Sequence, residues 1–321
     1  ASGAITQTAG NTKASDLLAL AENGVTLLTT ADHISARVTG SGDIQIADTN
    51  VDRAHFVDLG SKTDVNDGLF TADGDITVIV NQNVNAYRVA ANGAVTIEAG
   101  GDVYLDNVVG APVSVTGTIL IDEDRTTSGQ EIRFDGNIRL LRDITLTSNG
   151  GNIIITGRVN STAGEDFGLT FNAGGGNVTI GGAIGEVTPL EFLQVNDAGE
   201  FVLGGGARIE NDTEINADRV AITAPQGSVV TTGGGQLRLL PNDSSVSIDL
   251  GSPANGSAAF SLDDAELAML GDGFSLIRIG QTGATHELNI ESARFLDDLE
   301  LNGASVNLLA SSVAQAVNGL S

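Results

Sequence analysis

The chain has 321 residues, with 41 acidic and 15 basic side chains, a formal net charge of −26, 42 glycines and no cysteine. This composition excludes a disulfide scaffold and a cysteine-ligated zinc site, and it argues against a nucleic-acid binder, which needs a basic face. The hydrophobic share of 41% is normal for an ordered globular protein, and every apolar run is shorter than the roughly 20 residues that cross a bilayer, so we expect no membrane insertion.

Short alternating segments dominate the chain from its beginning to its end. Residues 14–22 (ASDLLALAE) fit a helix or a strand equally well by pattern. Beyond them, apolar and polar residues alternate in short runs separated by glycine, asparagine or aspartate. Alternation buries one face of a strand, and glycine supplies the positive-φ corners of tight turns. The predicted strands include 42–46, 74–80, 93–99, 101–105, 131–134, 236–240, 245–250, 275–280 and 287–291.

An internal repeat decides the predicted fold. Residues 144–159 (ITLTSNGGNIIITGRV) match residues 169–184 (LTFNAGGGNVTIGGAI) at an offset of 25, and a looser copy begins at Leu193. A unit of about 24 residues cannot bury its apolar face alone, but stacked copies can, as a β-solenoid of about 13 parallel coils. Stacking also predicts asparagine ladders between equivalent turns, with Asn152, Asn172, Asn177 and Asn196 as members.

Other all-β folds also contain short, regularly spaced strands. A β-sandwich remains an alternative, as does a propeller. Propeller blades repeat at about 40–50 residues and carry aromatic signatures, whereas aromatic residues are 4% of this chain. We therefore predict a single continuous β-solenoid over residues 1–321, and we expect it to be a segment or one unit of a longer array.

Two segments depart from the strand pattern. Residues 188–191 (TPLE) combine a hydroxyl N-cap, proline at the first helical position and glutamate at the third, which predicts one helical turn. Residues 261–264 (SLDD) begin a second capping box, and with AELAML and a stop at Gly271 they predict a helix of two turns. We interpret both helices as insertions at corners of the coils.

Two long stretches carry a family resemblance. Residues 132–161 (IRFDGNIRLLRDITLTSNGGNIIITGRVNS) and 169–196 (LTFNAGGGNVTIGGAIGEVTPLEFLQVN) resemble repeats of giant bacterial filamentous-haemagglutinin-like adhesins and related β-strand-repeat surface proteins. Residues 1–10 and 261–280 resemble other recurrent units of that group, so the likeness covers roughly 1–50 and 130–310. The resemblance implies a right-handed parallel β-helix, secretion, an extracellular or cell-surface location, and a role in adhesion, coats or filaments. This family has no catalytic residues to transfer.

Candidate chemistry is limited to carboxylates and three histidines. Acidic runs lie at 122–124, 263–264 and 297–298. Neighbours on a strand point to opposite faces, so a run does not itself form an acid–base pair, and we predict solvated turns. The histidines lie outside every metal-binding spacing and are predicted at the surface: His33, His55 and His286. We therefore assign no catalytic, cofactor-binding or metal-binding residue.

Calcium is the one cofactor that the sequence suggests. Residues 64–68 (DVNDG) resemble part of an oxygen-rich loop but lack the spacing of a helix–loop–helix calcium site. The many carboxylates repel one another, and divalent cations would relieve that repulsion. We expect diffuse, weak Ca²⁺ binding that raises the melting temperature.

The leading functional hypothesis is a non-catalytic structural or adhesive rod of a secreted bacterial surface protein or extracellular filament. Its expected partners are copies of itself stacked end to end, or flanking coils of a longer chain. A host or matrix glycan or protein is a further candidate partner. One alternative is a glycan- or protein-binding module on the side of a β-helix, which an exposed aromatic row would favour. Another is a β-helical polysaccharide-active enzyme, which a side groove with three or more carboxylates would favour.

Overall fold

Parallel strands stacked coil upon coil make up nearly the whole chain. The computed structural model describes residues 2–48, 56–110, 112–251, 260–309 and 314–316. The chain is a β-solenoid of about 14 coils with almost no helix, which confirms the predicted fold class. It divides into two compact units, the first comprising 1–123 and 130–139, and the second 124–129 and 140–321.

The first unit is built from coils of about 19 residues. Val25 pairs with Ile44, and Ile76 with Val95, each at an offset of 19. These coils are shorter than the predicted 24 because long strands bend through the corners, as β10 does over its 15 residues. Its strands are β1 (Ile5–Thr6), β2 (Asp16–Ala21), β3 (Val25–Thr29), β4 (His33–Ser41), β5 (Ile44–Asp48), β6 (Phe56–Leu59), β7 (Leu69–Asp73), β8 (Ile76–Val80), β9 (Asn83–Ala91), β10 (Val95–Val109) and β11 (Val113–Ile121).

The second unit contains the repeat found in the sequence. Leu146 pairs with Phe171 at an offset of 25, and Phe171 pairs with Val195 at 24. Its strands are β12 (Arg125–Thr126), β13 (Ile132–Leu140, all but its last residue in the first unit), β14 (Ile144–Thr147), β15 (Ile153–Ile155), β16 (Val159–Asn160), β17 (Leu169–Asn172), β18 (Val178–Ile180), β19 (Leu193–Leu203), β20 (Ala207–Ile209), β21 (Thr213–Ile222), β22 (Val229–Thr231), β23 (Gln236–Leu240), β24 (Ile248–Leu250), β25 (Phe260–Leu262), β26 (Leu276–Ile279), β27 (Glu287–Ile290), β28 (Ala293–Phe295), β29 (Leu299–Leu301), β30 (Ser305–Leu308) and β31 (Ala314–Ala316).

Columns of aliphatic side chains form the core of each unit. In-register pairing places one residue per coil above the next, so each buried side chain contacts its neighbours along the stack. In the first unit such a fully buried column contains Ile34, Leu59, Ala86, Leu105 and Ile121. In the second unit a column contains Leu146, Phe171, Val195, Ile215, Leu239, Ile279 and Leu301.

One strand of the second unit is stacked out of chain order. Ile248 on β24 pairs with Phe260 on β25 on one side and with Leu288 on β27 on the other. β24 therefore lies between two strands that both follow it in the sequence. The detour lengthens the coil, because Leu239 pairs with Ile279, an offset of 40. Residues 241–250, here called the excursion, insert an extra layer into this face of the stack.

The predicted corner helices fare differently. The only helix among the described residues is α1 (Asp264–Leu267), a single turn rather than two. Its N-cap is Asp263 with Glu266 completing the capping box, so the cap lies two residues later than the predicted Ser261. The predicted turn at 188–191 is not helical, because the amide of Leu190 donates to Arg208 O at 3.3 Å, in a bridge between coils.

Two further sequence predictions concern local structure. Residues 14–22, which fitted a helix or a strand, contain strand β2. The asparagine ladder is confirmed at two positions, where Asn196 Nδ2 donates to Asn172 Oδ1 at 2.9 Å. Asn152 instead accepts from the backbone amide of Asn177 at 3.0 Å, so this second pair stabilises a turn through one side chain.

Candidate functional site

The two tyrosines of the chain lie side by side on one flank of the first unit. Their ring centroids are 6.2 Å apart and the rings are inclined at 65°, an edge-to-face arrangement. Tyr87 lies on β9 and Tyr104 on β10, at outward positions between buried aliphatic residues. Together with four polar residues around them they form what we call the flank cluster: Lys62, Tyr87, Tyr104, Asp106, Asp122 and Glu123.

Tyr104 is the centre of the flank cluster. Its phenol donates to Asp122 Oδ2 and accepts from Lys62 Nζ at 3.3 Å. The Lys62 ammonium also lies 5.4 Å from the centroid of the Tyr104 ring, within the range of a cation–π interaction. Lys62 belongs to an exposed loop, so the ring is covered by a side chain that can move away from it.

Two carboxyl groups of the cluster share a proton. The pKa of Glu123 is raised by desolvation and by the charge of Asp106, to which it is hydrogen-bonded. Asp122 raises the pKa of Glu123 further, and Lys62 opposes the shift. The pKa of the Tyr87 phenol is also raised, by desolvation and by nearby carboxylates. A cluster with excess negative charge that retains a proton is the result.

The geometry suits binding better than glycosidic bond cleavage. Glycosidases hold their two carboxyl groups about 5–5.5 Å apart in retaining enzymes and about 6.5–9.5 Å apart in inverting ones. Asp106 and Glu123 are in direct hydrogen-bond contact, which leaves no space for a sugar or a water between them. Aromatic rings beside polar groups are instead common in sites that bind sugars and ammonium groups.

The flank cluster was missed by the sequence reasoning, which treated residues 122–124 as a solvated turn. The signal lies in the coil length of the first unit, where Tyr104 pairs with Asn85 at 19 residues and with Leu120 at 16. A period of 16–19 residues brings the tyrosines, Asp106 and Asp122 together, whereas the period of 24 read from the second unit does not.

The other acidic runs have structural roles. Asp263 caps α1, and Asp264 accepts from Ser292 Oγ at 2.6 Å. Asp298 is exposed as predicted, but Asp297 is buried and its two oxygens accept from the amides of Gly273 and Phe274. The solvated-turn prediction is therefore wrong for Asp297, because those amides fix its carboxyl group inside a corner of the coil.

The histidines also differ from one another. His33 is half-buried and bridges two carboxylates, with Nδ1 at 3.2 Å from Asp16 and Nε2 at 3.1 Å from Asp67. His286 is buried, so its predicted surface position is wrong. The third, His55, lies outside the described residues.

The acidic loop at residues 64–68 satisfies its own oxygens. Asp64 Oδ1 accepts from the amide of Asn66 at 2.9 Å, and Asn66 O accepts from Arg37. Within the described ranges, no group of three or more histidine, aspartate or glutamate side chains is arranged to hold a metal ion. The loop is thus a local turn rather than a preformed calcium site.

Comparisons with known proteins supply no relative from which a role could be transferred. No family model, curated protein or solved structure matches the chain. Over the described residues, every helix falls short of the length and apolar character needed to cross a membrane.

Proposed function

We propose that the chain is a non-catalytic structural segment of an extracellular bacterial surface protein, an adhesin or filament, whose coils stack end to end with those of another copy or of flanking sequence. The observation that carries the proposal is the pair of buried, in-register columns, one in each unit. Backbone hydrogen bonds run from each coil to the next, so unravelling a coil breaks a whole ladder together.

The last described coil supports stacking onto a further coil. Val306 and Leu308 continue columns whose preceding members, Leu288 and Ile290, are fully buried. Leu308 is nonetheless 65% exposed and Val306 45%. An apolar layer in register with a core is energetically suited to being covered by another parallel coil.

Electron microscopy of the purified chain over a concentration series, with and without Ca²⁺, tests the proposal. We expect particles that join into filaments as the concentration rises. Leu308→Asp should prevent the joining because it places a charge in the end layer, while Val187→Asp, at a residue 77% exposed outside the columns, should not. Single particles at every concentration would contradict end-to-end stacking, and rapid proteolysis of the folded chain would contradict a structural role.

A second candidate function is a binding module on the side of the solenoid. The flank cluster favours it because two aromatic rings, an ammonium group and three carboxyl groups converge there. The occupants that suit this chemistry are a glycan, through the tyrosine rings and the hydrogen-bonding carboxyl groups, or a protein with a basic patch.

A glycan array and a panel of matrix proteins, probed with the wild-type chain and with Tyr87→Ala/Tyr104→Ala, test this second function. We expect binding to at least one probe and a loss of about tenfold or more in the double variant, since removing aromatic platforms costs on the order of 1.4 kcal/mol or more. Phe56→Ala, at an exposed aromatic residue outside the cluster, is the matched control. Equal binding by both tyrosine forms would contradict a role for the cluster.

A further inference from the structure

His286 fastens the excursion to the coils that surround it. The ring is 1% exposed, and each of its nitrogens lies within hydrogen-bond distance of a backbone carbonyl oxygen. Nδ1 is 3.1 Å from Ser244 O, on the excursion, and Nε2 is 2.7 Å from Asn302 O, which follows β29. Ser244 O also accepts the backbone amides of Thr285 and His286. One side chain thus connects three segments of the second unit.

The neighbouring backbone leaves space for this ring. Gly280 has a φ of +84°, and a Cβ there would lie 2.0 Å from Asn302 O and 2.8 Å from His286 Nε2. A Cβ at Gly303 would lie 3.2 Å from His286 Cδ2. Both glycines are therefore needed for the ring to reach the two carbonyl groups at once.

Carbonyl oxygens only accept hydrogen bonds, so both ring nitrogens must donate for both contacts to be hydrogen bonds. A neutral imidazole carries a single N–H and leaves the other nitrogen's lone pair facing an oxygen. We propose that His286 is a pH-sensitive latch, which in its doubly protonated form holds the excursion, and with it the intercalated strand β24, against the following coil.

Charged side chains on the surrounding elements are engaged elsewhere. They are Asp243 on the excursion, Arg278 on β26, Glu287 on β27 and Glu300 on β29. Asp243 binds Ser245, Glu300 binds Arg278 and Asn302, and Glu287 is exposed. Among the described residues, the hydrogen-bond partners of the ring are therefore the two carbonyl groups alone.

The direction of the pH effect follows from these contacts. Losing one ring proton as the pH rises removes one of the two hydrogen bonds and sets a lone pair against a carbonyl oxygen. Gln281 Nε2, which donates to Pro241 O at 2.9 Å, still holds one end of the excursion. The excursion therefore loosens at high pH while the coils on either side stay folded.

Hydrogen exchange of the full chain at about pH 5.5 and about pH 8.0, the range in which histidine titrates, tests the latch. After correction for intrinsic exchange rates, we expect residues 241–250 and 285–290 to lose roughly fivefold in protection at the higher pH, the factor that one net hydrogen bond provides. Residues 144–159, in coils far from the excursion along the chain, serve as the internal reference. Equal protection at both pH values would overturn the proposal.

Two variants and one spectroscopic measurement complete the test. His286→Gln should show the weaker protection at both pH values, whereas His33→Gln, at the half-buried histidine of the first unit, should retain the wild-type pH response. A pH response that persists in His286→Gln would overturn the proposal. If that variant fails to fold, the ¹⁵N shifts of the wild-type ring decide, because a neutral His286 ring at about pH 5.5 is incompatible with the latch.

Discussion

At the scale of single residues, the columns make each interior position depend on the coils above and below it. Phe171 is fully buried and lies between Leu146 and Val195 in its column. Thr170, its neighbour on β17, faces outwards beside Thr145 and Gln194. The two positions share the same backbone ladder, so a comparison between them isolates the contribution of the core.

We expect Phe171→Ala to lower the free energy of unfolding by about 3–5 kcal/mol, because it removes buried apolar surface and leaves a cavity. Chemical denaturation followed by circular dichroism measures the loss. Thr170→Ala, the matched control, should change stability by no more than roughly 1 kcal/mol. Similar losses in both variants would mean that the interior column does not dominate stability.

Asp297 links stability to pH. Burial raises the pKa of Asp297, the amides of Gly273 and Phe274 oppose that rise, and the hydrogen bond with Asp272 adds to it. The net pKa is above the ordinary value of 3.8. The stability that this carboxyl group contributes is therefore fully present below that ordinary value and is lost as the pH rises through the raised pKa.

We predict that the stability difference between wild type and Asp297→Asn shrinks as the pH rises from about 3.5 to 7. Asparagine does not titrate but presents an NH₂ group to one of the two donor amides, so the variant is less stable at low pH. Melting temperatures of both proteins across this range measure the difference. A difference that grows with pH would show that the carboxylate, and not the protonated acid, is the form preferred by the fold.

At the scale of elements, two similar capping sequences reach different structures. Residues 263–266 form the capping box of α1, with each side chain bonded to the other's backbone amide. Residues 188–191 have equally good caps, but the amides of Val187 and Thr188 are near Asn160 Oδ1 instead. Pairing between coils offers the backbone more hydrogen bonds than one isolated helical turn, which is costly to nucleate.

We expect Asp263→Ala to destabilise the corner around α1 by about 1 kcal/mol, the usual cost of losing an N-cap. Hydrogen exchange of residues 263–270, combined with thermal melting, reports the effect. Ser261→Ala is the control, since the sequence pattern names Ser261 as a cap while the structure places it on β25. A larger loss from Ser261→Ala than from Asp263→Ala would contradict the observed cap.

At the scale of the whole molecule, charge is the dominant feature. A net charge of −26 on 321 residues makes the folded chain repel itself. Several carboxylates are neutralised locally by arginine, as Glu214 is by Arg238 at 3.1 Å and Glu300 by Arg278 at 2.9 Å. Acidic residues outnumber basic ones by more than two to one, so most of the charge is left for counterions.

We predict that millimolar Ca²⁺ at constant ionic strength raises the melting temperature by roughly 2–4 °C, which corresponds to about 1 kcal/mol in a protein of this size. Diffuse binding to many carboxylates should give a gradual rise without saturation at one equivalent. Calorimetric scans in EDTA, in Ca²⁺ and in NaCl of equal ionic strength make the comparison. Identical melting in EDTA and in Ca²⁺ would contradict the prediction.

The amino-acid sequence by itself determined the parallel coil architecture and the repeat of about 24 residues between β14 and β19. Alternation of apolar residues and the glycine-rich corners are local signals, and each of them favours the same stacked arrangement. The ladder of Asn172 and Asn196 was predicted from the same repeat and is present.

Only the tertiary structure decided where the chain leaves that pattern. The placement of β24 between β25 and β27, the burial of His286 and Asp297, and the meeting of Tyr87 with Tyr104 all depend on partners 17 or more residues away. Coil length sets which residues become neighbours, and it changes from about 19 residues in the first unit to about 24 in part of the second. A local pattern encodes which face of a strand is buried, but not which strand will lie beside it.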